Sequence, residues 1–427
     1  MSEPILSRNF NIPNAWTLKV AESRGAYETA RKVLSSMKPE EVTQAVAASN
    51  LRGFGGAGFP TGKKWQFIPK DSKKPVYLVV NADEGEPGTF KDRYILERDP
   101  HQMIEGIILS AFAIGSHKAY IYIRGEYVEP TKRVQAAVDE AYARNYLGKK
   151  IFGTNFDLDL VVHRGAGAYI CGEETALLNS LEGYKGYPRL KPPFPAIVGL
   201  FASPTIVNNV ETLACVPHIL KNGAEWFAKL GNAGGGGTHL FSVSGHVEKP
   251  GVYELPMGVR LRDVIYKHAG GVRGGRPLKA VIPGGISAKI LTADEIDVSM
   301  DYDNLKSAGT MLGSAGVIVM DETACMVKML YYACKFFAHE SCGQCSPCRE
   351  GTGWAFKIVK RIYSGEGSPK DLDTLLSIAK NMEGRTICVF ADAAAWPIQS
   401  YITKFRGEFE EYIEKWQTSR STANLTR

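Results

Sequence analysis

The chain has 427 residues, 44% of them hydrophobic and 22% charged, with a formal net charge of +6. That length holds roughly two to four domains with real cores, and the composition is that of an ordinary globular protein. The charge is modest and spread along the chain, so it gives no argument for nucleic acid and only weakly favours acidic ligands. Residues 1–16 lack the apolar core of a signal peptide. The most apolar helical stretch, Met103–Ile114, carries Glu105 and is too short to span a bilayer, so membrane association is expected only through partner subunits. Eight cysteines in so long a chain do not make a disulfide scaffold. Four of them cluster by spacing, which in a chain expected to be cytoplasmic points to metal.

In chain order, Ser23–Asn50 reads as helical, with Pro39 placed to open a second helix at its first turn. The stretch Leu51–Trp65 then holds Gly53, Gly55, Gly56, Gly58 and Gly62, five glycines in ten residues. Glycines leave backbone N–H groups bare and permit positive φ, which suits a phosphate or a flat ring. Lys63 and Lys64 add charge, and Phe59 and Trp65 add aromatic faces. Gly53, Gly55 and Gly58 match G-x-G-x-x-G, but a helix precedes them where the dinucleotide fingerprint needs a strand. Ala57 and Lys64 rule out a P-loop, and the plain alternative is a flexible surface loop.

Val76–Val80 reads as a buried strand emptying into Asn81–Arg93. A helix (His101–Ile114), a strand (Ala119–Ile123), a helix (Pro130–Leu147) and a strand (Leu158–Val162) follow, the last emptying into Arg164–Leu177. This alternation predicts an α/β domain with a Rossmann-like, mostly parallel sheet covered on both faces. Ligands bind beyond the carboxyl ends of such strands. The glycine loop, Asn81–Glu86 and Gly165–Glu174 are therefore expected to share one pocket, with Gly172–Glu174 opening a helix whose free N–H groups suit an anion. The run Gly231–Gly237 reads as a linker. A small α+β domain follows, with strands at Leu240–Gly245, Ala280–Ile282 and Gly316–Met320 and a short helix at Leu261–Ala269. Long amphipathic helices at about Ala324–His339, Glu350–Tyr363, Leu372–Asn381 and Trp396–Trp416 predict a terminal helical bundle.

Cys342, Cys345 and Cys348 form C-x2-C-x2-C, and Cys388 follows forty residues later. Three thiolates so spaced hold three corners of a 4Fe–4S cube and the fourth closes it; a tetrahedral zinc site is the alternative. Cys171, Cys215, Cys325 and Cys334 sit in apolar settings and read as small core residues. A cluster passes single electrons, whereas a nicotinamide nucleotide gives two as a hydride, and a flavin converts between them. A nucleotide pocket and a cluster in one chain thus read as a flavin-dependent electron-transfer protein.

Four stretches together, Arg52–Trp65, Asn81–Arg93, Gly165–Ala176 and Glu340–Gly351, strongly resemble the NADH-binding flavoprotein subunit of respiratory complex I, over about residues 15–415. The resemblance implies FMN held by Gly53, Phe54, Gly55, Gly56, Lys64, Asn81, Asp83, Glu84, Tyr169, Gly172, Glu173, Glu174, Val207, Asn208, Asn209 and Thr212. It implies NADH at Phe59, Phe67, Glu86, Glu174, Lys191 and Phe194, and a 4Fe–4S cluster on Cys342, Cys345, Cys348 and Cys388. It also implies a ubiquitin-like β-grasp (SLBB) middle domain. The expected divisions are 1–230, 238–322 and 323–427. Where the family usually has arginine, this chain has Phe54, which raises the question of a cation lost beside the cofactor.

Hydride transfer between stacked rings needs positioning rather than an acid or base, so no catalytic residue is assigned and Glu174 is the nearest candidate. Carboxylates beside the nucleotide can accept from ribose hydroxyls and repel a phosphorylated ribose, favouring NAD. Electrons are expected to run on through iron–sulfur centres to quinone. The implied partners are a 2Fe–2S thioredoxin-like subunit and a multi-cluster iron–sulfur subunit, on the cytoplasmic face of the inner membrane. The alternatives are a diaphorase subunit of a soluble NAD-linked hydrogenase or formate dehydrogenase, and a zinc-stabilised scaffold without catalysis. Diaphorases often carry further domains, so a chain beginning near the core and stopping after the bundle favours complex I.

Overall fold

The computed structural model describes residues 4–425, with side chains as far as residue 418. Strands β1 (Tyr77–Ala82), β2 (Lys118–Ile123), β3 (Asp159–Arg164) and β4 (Thr205–Asn209) form a wholly parallel sheet in the order β3-β2-β1-β4. Before the sheet run α1 (Leu18–Ser23), α2 (Glu28–Ser36), α3 (Pro39–Ala48) and α4 (Thr61–Trp65). Around it lie α5 (Lys91–Arg98), α6 (Pro100–Ile114), α7 (Val128–Ala143), α8 (Glu174–Leu181), α9 (Val210–Asn222) and α10 (Ala224–Leu230). Pro39 opens α3 as expected, because its missing N–H is unneeded there.

β1 is apolar along its length because both of its faces are covered. Leu78, Val80 and Ala82 pack with Met103, Ile107 and the other helices of one core, while Val79 turns the other way, into a second core with Val207, Leu177 and the C-terminal helices. The chain leaves β1 toward β2 on one side and returns to it as β4 on the other. The loops after β1 and β4 therefore part at a topological switch point, where a crevice forms. β4 adds to the strands expected from the sequence.

Strands β5 (Thr238–Gly245), β6 (Gly251–Pro256), β7 (Leu278–Ile282), β8 (Leu291–Thr292) and β9 (Gly316–Asp321) make the second sheet, in the order β6-β5-β9-β7-β8. Its first and last strands run parallel, side by side, at the centre, and the other pairs are antiparallel. This is the expected β-grasp arrangement, with α11 (Leu261–Asp263) and α12 (Tyr302–Ser307) in its connections. The helices α13 (Met326–Glu340), α14 (Ser346–Tyr363), α15 (Lys370–Met382) and α16 (Phe390–Leu425) form the terminal bundle, with α16 breaking helical geometry at Phe405. Among the described residues no helix is long and apolar enough to cross a membrane.

The stretch Gly231–Gly237 is not a flexible linker. The Gly236 amide donates to Asn50 O at 2.9 Å and the Gly237 amide to Phe227 O at 2.8 Å, and Gly234–Gly237 are buried. A Cβ at Gly236 would overlap the Ser49 carbonyl, and one at Gly237 (φ +82°) would overlap the Phe227 ring. The glycines are there for close packing, which composition cannot distinguish from flexibility. Gly237→Ala is expected to cost about 3 kcal/mol in chemical denaturation, combining backbone strain with overlap. Gly274→Ala, at φ +66° with open space around the new methyl, should cost only about 1 kcal/mol.

Candidate functional site

The glycine loop is closed at its neck rather than loose. Gly53 N donates to Phe59 O and Thr61 N to Leu51 O, both at 2.9 Å. Tyr302 of α12 supports the loop from beneath: its hydroxyl donates to Gly53 O at 2.9 Å, its ring fills the space a Cβ on Gly58 would take, and Arg52 lies 4.9 Å over that ring. Gly56 has φ +125° with nothing within 4 Å of a Cβ position. The loop thus presents bare backbone to an open side, a cradle that fits a flavin phosphate or ring edge.

Phe54 faces the other way. It is fully buried, its amide donates to Thr212 Oγ1 at 2.9 Å, and its ring stacks on His239 of β5 at 4.2 Å and 16°. Beneath lies a buried ionic network. Lys91 Nζ meets Asp92 Oδ1 and Glu211 Oε2 at 2.8 Å each, and His239 Nδ1 lies 2.8 Å from Glu211 Oε1. Burial raises the Glu211 carboxyl, but His239 and Lys91 outweigh it and hold that group below the usual range. Residue 54 therefore contributes a packed ring under the cradle, and the absent arginine leaves the open face of Gly55 and Gly56 unaltered.

Several asparagines and threonines among the expected cofactor residues serve as braces. Asn81 Nδ2 donates to Gly172 O at 2.8 Å, joining two of the three loops. Asn208 Oδ1 accepts from Trp65 Nε1 at 2.9 Å. Asn209 caps α9, accepting from the amides of Glu211 and Thr212, and donates to Asp92 Oδ2 at 2.5 Å. Glu84 is buried, with its carboxylate accepting from the amides of Asp92 and Arg93 and from the Tyr127 hydroxyl. That side chain secures the start of α5, and the Glu84 carbonyl accepts from Arg124 Nη1 at 2.7 Å.

The charged wall is built from α4, α8 and the Lys191 loop. Lys64 Nζ lies 2.9 Å from Glu174 Oε2 and 2.9 Å from Val207 O. Lys191 Nζ lies 2.9 Å from both Glu173 Oε1 and Glu174 Oε1. Burial opposes the Glu174 charge, but Lys64 and Lys191 outweigh it and draw its pKa down to about 2. Glu173 caps α8, accepting from the amides of Thr175 and Ala176, with Glu174 in the first turn behind it. Phe59 and Phe67 form a tilted pair at 6.0 Å, 42% and 48% exposed, and Phe194 is 57% exposed. Glu86 accepts from Ser287 N at 2.7 Å, Ser287 Oγ at 3.0 Å and Tyr169 Oη at 2.5 Å. A carboxylate takes about four such bonds, so one position remains. The roles of Tyr302, His239 and Ser287 carry no local signal, because each depends on a partner far away in sequence.

Cys342 and Cys345 stand between α13 and α14, Cys348 in the first turn of α14, and Cys388 just before α16; all four are free thiols. Burial pushes Cys348 up to about 11, with Cys342 and Cys345 adding to it. Burial pushes Cys388 up to about 12, with Glu173, Cys342 and Cys348 adding. Thiols such as Cys348 and Cys388, whose ionisation burial opposes, fit a cationic iron–sulfur core, which stabilises thiolates. Among the described residues no three His, Cys, Asp or Glu close tightly enough for a single ion, whereas a four-iron cube takes one thiolate at each of four separated corners.

The site and fold together define a flavoprotein subunit of an oxidoreductase, carrying FMN and a 4Fe–4S cluster. Residues 46–218 match the Nuo51 FMN-binding domain, 239–319 an SLBB domain, and 328–412 the NADH-ubiquinone oxidoreductase-F iron-sulfur binding region. The chain is 54% identical over 415 residues to the second F subunit of the NADH-quinone oxidoreductase of Rhizobium meliloti (strain 1021), covering 97% of this chain and 99% of that protein. It is 52% identical over 412 residues to the F subunit of the NADH-quinone oxidoreductase of Rickettsia felis (strain ATCC VR-1525 / URRWXCal2), covering 96% and 97%. Among solved structures, an NAD+-reducing [NiFe]-hydrogenase in the H2-reduced state superposes with a TM-score of 0.84 at 38% identity, covering 96% of this chain and 66% of that one. The chain belongs to the family of NADH-quinone oxidoreductase F subunits, and it works as one subunit among partners in a complex.

Asp83 offers a titration test at the site. Burial raises its pKa to about 7, with Arg124 opposing and Glu126 and Glu340 adding. A carboxyl raised in the folded state favours folding when protonated, so its stabilisation is complete below its unfolded value and is lost as pH rises through about 7. Asp83→Asn should therefore remove roughly 1–3 kcal/mol of pH dependence between about pH 4 and 7, read from denaturation midpoints across that range.

Proposed function

We propose that this chain is the NADH-oxidising flavoprotein subunit of a respiratory NADH:quinone oxidoreductase. Its cluster ligands are Cys342, Cys345, Cys348 and Cys388. When bound, FMN supplies the ability to accept a hydride and release electrons singly, which links a two-electron donor to a one-electron cluster. The amides of Gly55 and Gly56 and the ammonium of Lys64 would hold its phosphate and ring edge. The loops after β1 and β4, braced by Asn81, Asn208, Asn209 and Thr212, set the floor of the crevice. Phe59, Phe67 and Phe194 offer faces for the nucleotide's flat rings, and Glu86 and Glu174 accept from ribose hydroxyls. Their negative charge disfavours a phosphorylated ribose, so the crevice prefers NADH to its phosphate.

One observation carries this reading. Tyr169 donates through its hydroxyl to Glu86 of the nucleotide wall and through its amide to Glu340, two residues before Cys342. The nucleotide wall and the cluster ligands are therefore neighbours within one chain. We assign the crevice to residues 1–230, the β-grasp unit to 238–322 and the cluster bundle to 323–427. The partners of this reading are a 2Fe–2S thioredoxin-like subunit and a multi-cluster iron–sulfur subunit, which attach the chain to the cytoplasmic face of the inner membrane. The likeness to the NAD+-reducing hydrogenase supports a second reading, a diaphorase subunit. Copurification with a quinone-reactive membrane complex or with a soluble hydrogenase separates the two.

The purified chain should show flavin bands and a shoulder bleached by dithionite, and NADH should bleach the flavin. Glu86→Ala should raise the KM for NADH about tenfold, the loss of one charge-assisted hydrogen bond. Unchanged NADH affinity in that variant would contradict the nucleotide assignment.

A further inference from the structure

Tyr169 touches all three parts of the chain. Its hydroxyl donates to Glu86 on the loop after β1 at 2.5 Å and lies 3.4 Å from Ser287 Oγ in the β-grasp unit. Its amide donates to Glu340 Oε2 at 3.1 Å, two residues before Cys342. Its ring stands edge-on to Phe336 of α13 at 5.0 Å and to Phe390 at 5.8 Å, and Phe390 follows Cys388 by two residues. On the crevice side the fit is equally close: a Cβ on Gly85 would come within 3.1 Å of the ring. An ordinary packed tyrosine buries its ring in one layer and satisfies its hydroxyl locally. This one spans from a nucleotide-facing carboxylate to the two segments that carry the cluster thiols.

We propose that Tyr169 is a positioning residue that sets the spacing and orientation between the nucleotide crevice and the cysteine loops. This rests on the function proposed above and extends it to the step after hydride uptake. In that step the reduced flavin loses one electron and the cluster gains it, the pair having come from NADH. Such a transfer depends on a held gap. The gap is held by the ring against Phe336 and Phe390 and by the Glu340 anchor, while the hydroxyl orients Glu86. Burial and the Glu86 charge push the hydroxyl's pKa well up, so it remains a donor.

The test uses the full chain carrying FMN and cluster, mixed anaerobically with NADH, following flavin bleaching and cluster reduction separately. In Tyr169→Leu the ratio of the cluster-reduction rate to the bleaching rate should fall about tenfold, as misplacement of reacting groups predicts. Tyr169→Phe keeps the ring, and should hold that ratio within about twofold of the parent while raising the KM for NADH. Hydrogen exchange at residues 166–170 should quicken in Tyr169→Leu and not in Tyr169→Phe. A parental ratio in Tyr169→Leu overturns the proposal. If that variant does not retain its cluster, Glu340→Ala, which removes the acceptor of the Tyr169 amide, is read instead: a ratio about threefold lower with faster exchange at 166–170 supports the proposal, and no change in either overturns it. Absence of flavin bleaching in the parent would instead overturn the function on which the proposal rests.

Discussion

The organisation of this protein depends on β1 being enclosed on both faces. Leu78, Val80 and Ala82 bury into the N-terminal helical core, and Val79 buries with β4, α8 and the terminal bundle. A strand enclosed in this way cannot slip by one residue without turning its neighbours into the wrong core. Its carboxyl end is thus a fixed point. Asn81–Glu86 emerges there between the glycine loop, the start of α8 and the β-grasp unit. Val79 shares its core with the bundle that carries the cysteines, and Tyr169 at the crevice meets Phe336, Phe390 and Glu340 of that bundle, which brings the cluster loops beside the crevice.

Electrostatics then shapes the crevice in two layers. The outer layer, Lys64, Lys191, Glu173 and Glu174, alternates charges at 2.9 Å. Its cations can turn to an anionic ligand, since each is only half-buried and already shared between acceptors. The inner layer, Lys91, Asp92, Glu211 and His239, is sealed away from water. A buried ionic network is costly to break and specific in geometry. Here it fixes Asn209, and through the Phe54–His239 stack it fixes the underside of the glycine loop. The flavin cradle is exposed backbone above a rigid polar core.

Much of this could be read in the residues. The apolar run of β1, the acids and glycines after it and the cysteine spacing each follow from a local physical rule, and the structure brings the three expected loops together. Gly231–Gly237 was misleading because glycine serves equally for mobility and for contact too close for a Cβ. Phe54 was legible as a departure, but no local pattern says which way a loop side chain points. The resemblance places Glu84 among the cofactor residues, and its carboxylate secures the start of α5. Tyr302 and Ser287 carry no local signal, since each acts on a residue more than a hundred positions away, and the motif that begins at Glu340 does not say that this carboxylate reaches Tyr169. Local chemistry pointed to the three loops, and long-range packing sets which of their side chains are engaged within the protein.

Nucleotide oxidation and cluster reduction take place within one chain. A single-turnover reaction tests this most directly: the purified chain, loaded with FMN and iron–sulfur cluster, is mixed anaerobically with one equivalent of NADH across a range of protein concentrations. Flavin bleaching should be followed by cluster reduction, the second with a rate constant independent of protein concentration. A cluster that stays oxidised while the flavin is reduced, or one whose reduction rate constant scales with protein concentration, would contradict it.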